Sequence, residues 1–472
     1  MTGDLHTGAG GEAAPVTGVA SERAVATETT REAWNTRLGF VLAAVGSAVG
    51  LGNMWRFSYI TAEKGGAAFV ILYILMTLVV GIPIMMAEFA LGRGTRRSSI
   101  GALRLTGGPR WAPLGYLFIA AGILILSFYS VIAGWVMRYA LRGIASGFPT
   151  EAAEYFDQIA SGAPAMGFHL VFMIVTIGIV MGGVQKGIER ASVIMMPALF
   201  LIVVGLAVWA STLAGSGAGY RFYLTPNFEA LLSLDTLAAA ASQAFFSLSL
   251  GMGCMLTFSS YLSRQESLPR EATVISFADF SVAFISGLVV FPVIFALGLQ
   301  GAVGASTLGA LFISLPGAFL EMGGVGRIVG VLFFTALFIG ALTSAISLLE
   351  VVVSALIDEW RIPRRTAAIG AGILITLIGL WPAADLNALG AIDAVVSNIF
   401  LPVGALGTAL FVGWLMKNPI DEVAHGAADG LRPWLKGWLW TLRIVVPILL
   451  VLVLSSSLPA TREALAGLFG GG

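Results

Sequence analysis

Charge is scarce in this chain. Only 11% of its 472 residues are Asp, Glu, Lys or Arg, against roughly a quarter in an ordinary soluble domain. The 26 basic and 26 acidic residues cancel to a formal charge of zero, so nothing in the balance points to nucleic acid or another polyanion as a partner. Cysteine is scarcer still. Cys254 stands alone and cannot close an intramolecular disulfide, and His6, His169 and His425 lie far apart, so neither thiol chemistry nor a metal cluster is suggested. The first 36 residues are rich in Ala, Thr, Gly and Glu. They lack the apolar core of a cleaved signal peptide and read as a cytoplasmic tail.

What the chain has in quantity is apolar length. Hydrophobic residues make up 57%, and runs of about twenty, enough to cross a hydrocarbon core, recur about eleven times. The expected spans are 38–60, 66–91, 112–142, 166–184, 189–210, 237–262, 271–300, 327–358, 365–383, 388–415 and 437–459. This predicts an all-α integral membrane protein in a lipid bilayer. Basic residues are retained on the cytoplasmic side during insertion. Arg93, Arg96 and Arg97, then Lys186 and Arg190, Arg264 and Arg270, and Arg361, Arg364 and Arg365 fall in alternate loops. That places the N-terminus inside and, with an odd number of spans, the C-terminus outside.

The first span contains "LAAVGSAVGLGNMWRF", residues 42–57, with Gly46, Gly50, Gly52, Asn53 and Arg56 where an unbroken apolar helix is expected. Gly46 and Gly50 fit a small-xxx-small packing pair, but that does not account for Asn53 or for a charged side chain within a span. The sixth span repeats the anomaly in "QAFFSLSLGMGCMLTF", with Gly251 and Gly253 after Ser247 and Ser249. Spans one and six correspond if one to five and six to ten are two halves. Because five is odd, the second half enters from the opposite side. The expected organisation is a tail at 1–36, a five-helix half at 37–210, an outer loop at 211–236, an inverted second half at 237–416, and an inner loop, eleventh helix and C-terminus at 417–472. Paired broken helices in an inverted repeat mark the binding site of a secondary transporter. Half-helix N-termini attract an anionic group, and freed carbonyls take a small cation, so each break has a half-site for a carboxylate and for a sodium ion.

The stretches "RLGFVLAAVGSAVGLGNMWRFSYI", "KGGAAFVILY", "GIPIMMAEFALGR", "KGIERA", "FFSLSLGMG" and "GALTSAIS", in this order over residues 31–416, resemble the neurotransmitter:sodium symporter family and its bacterial amino-acid transporters. The paired-break pattern is itself typified by a member of that family. The resemblance implies a 5+5 inverted repeat with helices 1 and 6 broken. It implies two sodium ions as coupling ions and no organic cofactor. The first ion would be held by Ala48, Asn53, Ser247, Asp279 and the substrate carboxylate. The second would be held by backbone oxygens of Gly46, Val49 and Gly340 with the hydroxyls of Thr343 and Ser344, the oxygen donors a hard cation prefers.

It further implies that the substrate carboxylate meets the amides near Leu51 and Gly52 and the Tyr129 hydroxyl. The amine would face carbonyls near Ala48, Phe246 and Ser247. Ile125, Phe246, Ser249, Met252, Ser344 and Leu348 would line the side-chain pocket. Asp279 stands where an asparagine is commonest, and Ala283 where chloride-dependent relatives place a serine. A carboxylate beside the first ion supplies the charge chloride would bring, so chloride independence is expected, with Tyr73 and Gln243 hydrogen-bonding Asp279. Met252, a flexible thioether in "GMG", favours hydrophobic L-amino acids, branched or aromatic.

Arg56 and Asp393 match an outer gate pair with Phe246 as a lid, and Arg31 and Asp358 an inner pair near Trp34, Ser260 and Tyr261. Exposed pairs of this kind are ordinarily weak, solvated bridges. Gly187 and Pro197, nine residues apart, are consistent either with a fifth helix that unwinds or with ordinary helix termination at Gly187. Glu88, inside the second span, requires a partner that the sequence does not name. The expectation is a sodium-coupled amino-acid symporter of the bacterial inner membrane. A sensor or channel on the same scaffold, or proton coupling through Asp279, are the rivals. A membrane enzyme is not supported, since the spans hold no nucleophile and base pair.

Overall fold

The computed structural model describes residues 32–299, 307–428 and 430–469; Arg31 and the tail before it lie outside the described residues. All regular structure among the described residues is helical. Among the described residues nine helices are long and apolar enough to cross a membrane: Ala67–Thr95, Pro109–Ala145, Ala163–Met181, Val184–Ser211, Leu268–Ala296, Gly323–Trp360, Arg364–Ala384, Leu386–Leu415 and Arg432–Leu468. A tenth span is the pair Arg37–Ala48 and Gly52–Glu63, bent by 52°. The remaining expected span is also a pair, Leu234–Ser247 and Cys254–Ser259, neither half long enough to cross alone. The eleven expected spans are therefore present, several of them longer than their apolar runs.

Burial sorts the spans. The third and eighth pack along one another through the centre of the bundle, whereas the fifth and eleventh turn most of their surface outward. The first span lies against the eighth, fifth and seventh. Two halves of five spans, one inverted relative to the other, each open on a broken helix.

The first break begins at Val49, whose extended backbone (φ −78°, ψ 110°) ends the helical ladder. Gly50 follows, and the chain restarts as a π-helical turn at Gly52–Arg56. A Cβ on Gly50 would stand 2.6 Å from Ser344 Oγ and 2.8 Å from Tyr129 Oη, so the break is pressed directly against the third and eighth spans.

The sixth-span break uses backbone conformation instead. Ser249, Gly251 and Gly253 all have positive φ (53°, 75° and 76°), a region costly for residues with a side chain. A Cβ on Gly251 would also run into the Leu401 carbonyl of the tenth span. The amides this break frees are taken by Glu88, the buried carboxylate of the second span. Its Oε1 accepts from Gly251 N at 2.8 Å and its Oε2 from Leu256 N at 3.3 Å.

The helix-termination alternative at Gly187 is not what the chain adopts. Residues Val184–Glu189 form a π-helical turn that runs into Arg190–Ser211 with Pro197 inside, and Gly187 packs against the Ile179 carbonyl at the end of the fourth span. At the end of the bundle where the second span stops, fully buried Arg93 holds two loops together. It bonds Glu422 Oε1 at 2.9 Å and the carbonyls of Glu266, His425 and Glu422.

Replacing Glu88 by Ala leaves two amides in the bilayer interior without an acceptor, at about 1–3 kcal/mol each. The thermal midpoint of the detergent-solubilised protein is expected to fall in Glu88→Ala, and by less in Glu88→Gln, which keeps one acceptor oxygen. Midpoints equal to the native one would rule out this role.

Candidate substrate and ion site

Four buried polar side chains from four spans meet beside the first break. Asp279 of the seventh span accepts from Asn53 Nδ2 (2.6 Å), Ser247 Oγ (2.8 Å) and Tyr73 Oη (3.0 Å). Asn53 Nδ2 also reaches Ser247 Oγ at 2.9 Å, and Asn53 Oδ1 accepts from Gly50 N at 3.0 Å. All four side chains are at most 1% exposed. A buried carboxylate is costly unless paired or hydrogen-bonded. Among the described residues Asp279 has donors but no basic side chain in ion-pair range. Its oxygens are therefore the donors a hard cation prefers.

The expectation that Tyr73 and Gln243 both bond Asp279 is met by Tyr73 alone. Gln243 donates instead to Gly52 O at 2.9 Å, across the first break, and its Oε1 is buried without a partner.

A second oxygen cluster forms where the eighth span crosses the first break. Ser344 Oγ lies 3.4 Å from Gly46 O, 3.2 Å from Ser47 O and 3.4 Å from Val49 O. Thr343 Oγ1 donates to Gly340 O at 3.0 Å, and a Cβ on Gly340 would come within 3.3 Å of Gly50 Cα. Gly46, Val49, Gly340, Thr343 and Ser344 are thus brought together as expected, with the carbonyl of Ser47 as an unforeseen neighbour.

Between these clusters, Leu51 N donates to Tyr129 Oη at 3.2 Å, and Ser249 Oγ donates to Ser47 O at 2.8 Å. Gly52 lies under the Phe246 ring, 2.9 Å from where a Cβ would stand. Ile125, Met252 and Leu348, each 3–4% exposed, supply buried apolar surface. Ala48 is the last residue of the first half-helix.

The gate residues are placed differently from expectation. The Arg56 guanidinium lies over the Phe246 ring, 4.5 Å from its centroid, and Nη1 is buried without a partner. It makes no ion pair with Asp393 within 4.0 Å, and Asp393 instead accepts from Ser397 Oγ at 2.7 Å. The direct Arg56–Asp393 pair is therefore corrected to a cation–π stack on the lid ring. Asp358 accepts from Ser98 N at 2.5 Å; its expected partner Arg31 lies outside the described residues.

At that same end of the bundle Trp34 and Tyr261, expected near the inner pair, belong to a larger network whose charged members Glu32, Glu189, Glu350 and Arg364 were not foreseen as partners. Trp34 Nε1 donates to Phe258 O at 2.9 Å. Tyr261 Oη donates to Glu350 (2.7 Å), which Arg364 clamps with two 2.8 Å bonds while also pairing with Glu32. Glu189 accepts from the amides of Asn35 and Thr36 and from Thr36 Oγ1 at 2.8–3.1 Å. The buried Glu350 of the eighth span was the available signal.

The chain matches the sodium:neurotransmitter symporter family over residues 31–158 and 157–466. It is 34% identical to the sodium-dependent transporter YhdH of Bacillus subtilis, over 89% of this chain and 96% of that protein. It is 28% identical to the sodium-dependent serotonin transporter of Drosophila melanogaster, over 93% of this chain and 78% of that protein. The crystal structure of MhsT in complex with L-phenylalanine aligns with a TM-score of 0.82 and 40% identity, covering 90% of this chain and 100% of that one. With its paired broken helices and the buried polar clusters between them, the chain belongs to the sodium:neurotransmitter symporter family and is a sodium-dependent transporter, not an enzyme.

Proposed function

We propose that this transporter imports hydrophobic L-amino acids, branched or aromatic, by sodium-coupled symport with alternating access, and that it does so without chloride. The observation that carries the reading is the Asn53–Ser247–Asp279 cluster lying against the first break, one residue pair away from the Leu51 amide and Tyr129 hydroxyl. A substrate carboxylate at Leu51, Gly52 and Tyr129 would share a sodium ion with Ala48, Asn53, Ser247 and Asp279. Each would then raise the affinity of the other, and that coupling free energy drives symport. A second sodium would take Gly46, Val49, Gly340, Thr343 and Ser344, displacing the Ser344 hydroxyl from the carbonyls it now contacts.

Ile125, Phe246, Ser249, Met252, Ser344 and Leu348 would surround the side chain; its buried apolar members favour a hydrophobic substrate, as does L-phenylalanine in the MhsT crystal. Asp279 supplies a fixed negative charge beside the first ion, which makes an external anion unnecessary. Arg56 with Phe246 would close the outer path, and Asp358 with Arg31 the inner one, as the halves at 37–210 and 237–416 rock against each other. The protein would sit in a bacterial inner membrane with its N-terminus in the cytoplasm. Each net charge carried down the membrane potential contributes about 2.3 kcal/mol per 100 mV.

Proteoliposomes given an inward sodium gradient in chloride-free gluconate are expected to accumulate labelled L-leucine, L-tyrosine or L-tryptophan above glycine, and to lose that uptake when choline replaces sodium. Sodium-dependent binding without accumulation would instead favour a sensor, and uptake on a pH gradient alone would favour proton coupling. The Asp279→Asn variant is expected to lose most chloride-free uptake and to recover part of it when chloride is added. Full chloride-free activity in that variant would refute the role given to the carboxylate. Ser344→Ala is expected to raise the sodium concentration for half-maximal uptake by about tenfold, equivalent to about 1.4 kcal/mol. An unchanged sodium curve would remove this hydroxyl from the second site.

A further inference from the structure

The eleventh span, Arg432–Leu468, carries a cation where a bilayer-facing helix has little reason to keep one. Arg443 lies eleven residues into it, and its surroundings form a fitted slot. Its Nε donates to Gly413 O at 2.6 Å, at the end of the tenth span. Its guanidinium sits 5.0 Å from the ring centroid of Trp414 and 5.6 Å from that of Trp440. Gly413 leaves the room this requires, since a Cβ there would come within 3.2 Å of Arg443 Cγ.

The slot fixes the plane of the guanidinium but does not neutralise it. No acidic side chain among the described residues lies within 4.0 Å of Arg443, and the Gly413 carbonyl is its one hydrogen-bond acceptor there. The remaining N–H groups are not among the buried, unpartnered ones, so they face outward.

Depth and neighbours identify what lies outside. The tenth span ends at Leu415, and the exposed Lys417 stands two residues further on, so Gly413 and Trp414 stand at the edge of the hydrocarbon layer. Trp414, Trp434 and Trp440 are 60%, 80% and 56% exposed, the pattern of an interfacial aromatic belt. Lys436 is exposed and lies seven residues before Arg443 in the same span. A planar cation with a bidentate edge suits a phosphate, and basic crevices between membrane helices take anionic head groups.

We infer that the crevice between the ends of the tenth and eleventh spans binds an anionic glycerophospholipid, with its phosphate on Arg443, its head group toward Lys436, and Trp414 and Trp440 flanking the guanidinium. The site is separate from the substrate and ion cluster, and its occupancy does not depend on which amino acid is transported.

The test is competitive lipid retention measured by native mass spectrometry. The purified full-length protein is offered equimolar phosphatidylglycerol and phosphatidylcholine with matched acyl chains. The native protein is expected to retain phosphatidylglycerol by about fivefold over phosphatidylcholine. Arg443→Gln is expected to bring that ratio close to one. Arg443→Lys, which keeps the charge but not the stacked plane, is expected to give an intermediate ratio and covers the case in which the glutamine variant does not fold. Arg432→Gln, at an exposed position paired with Asp421, is expected to leave the ratio unchanged. The proposal is overturned by no preference in the native protein, by an undiminished ratio in both Arg443 variants, or by millimolar inorganic phosphate displacing phosphatidylglycerol, which would mark a site for free anions.

Discussion

Everything at the centre of this protein depends on one constraint: backbone groups freed inside a bilayer must be satisfied by the protein itself. Two helices break at mid-membrane, and each break is met by particular side chains. Ser344 lies against three carbonyls of the first break, Tyr129 takes the Leu51 amide, and Glu88 takes two amides of the sixth-span break. Ser249 closes the circuit by bonding Ser47 O across the two breaks. The groups that make the breaks tolerable are thus hydroxyls and carboxylates, which are also the groups able to exchange a protein contact for an ion or a substrate.

That exchange is where structure becomes mechanism. The Asn53, Tyr73, Ser247 and Asp279 cluster joins the first, second, sixth and seventh spans. A cation bound there would be felt by both halves at once. The eighth span does the same at the other cluster through Thr343 and Ser344. Further along the first span, Glu189 caps its start and the Glu350–Arg364–Glu32 chain ties the segment before it to the eighth and ninth spans. The start of the broken first span is thus tied to the fifth, eighth and ninth spans, so a change at its middle can be passed to the packing at that end.

Much of this was legible in the sequence because the anomalies were chemical. Glycines, an asparagine and an arginine inside an apolar run announced the first break, and Gly251 and Gly253 the sixth; the family resemblance assigned Asp279 to one oxygen cluster and Thr343 and Ser344 to the other. What was not legible involves backbone partners or choices among equals. Glu88 bonds main-chain amides, which leave no mark in a residue pattern. Gln243 bonds the main-chain carbonyl of Gly52 rather than Asp279. Arg56 chose the face of Phe246 over the carboxylate of Asp393, a preference of geometry between two plausible partners. The Glu189 contacts run to the backbone of residues 35 and 36, and the π-helical continuation through Gly187 reflects packing on the fourth span rather than local propensity.

The central claim is that sodium and substrate share one site and therefore stabilise each other. Equilibrium binding of L-phenylalanine at several fixed sodium concentrations, paired with sodium titrations at several fixed L-phenylalanine concentrations, tests it most directly. Reciprocal linkage requires the two affinities to rise by the same factor, and that factor should collapse toward one in the Asp279→Asn protein. Substrate affinity that is indifferent to sodium, or a factor left intact in that variant, would contradict the shared site.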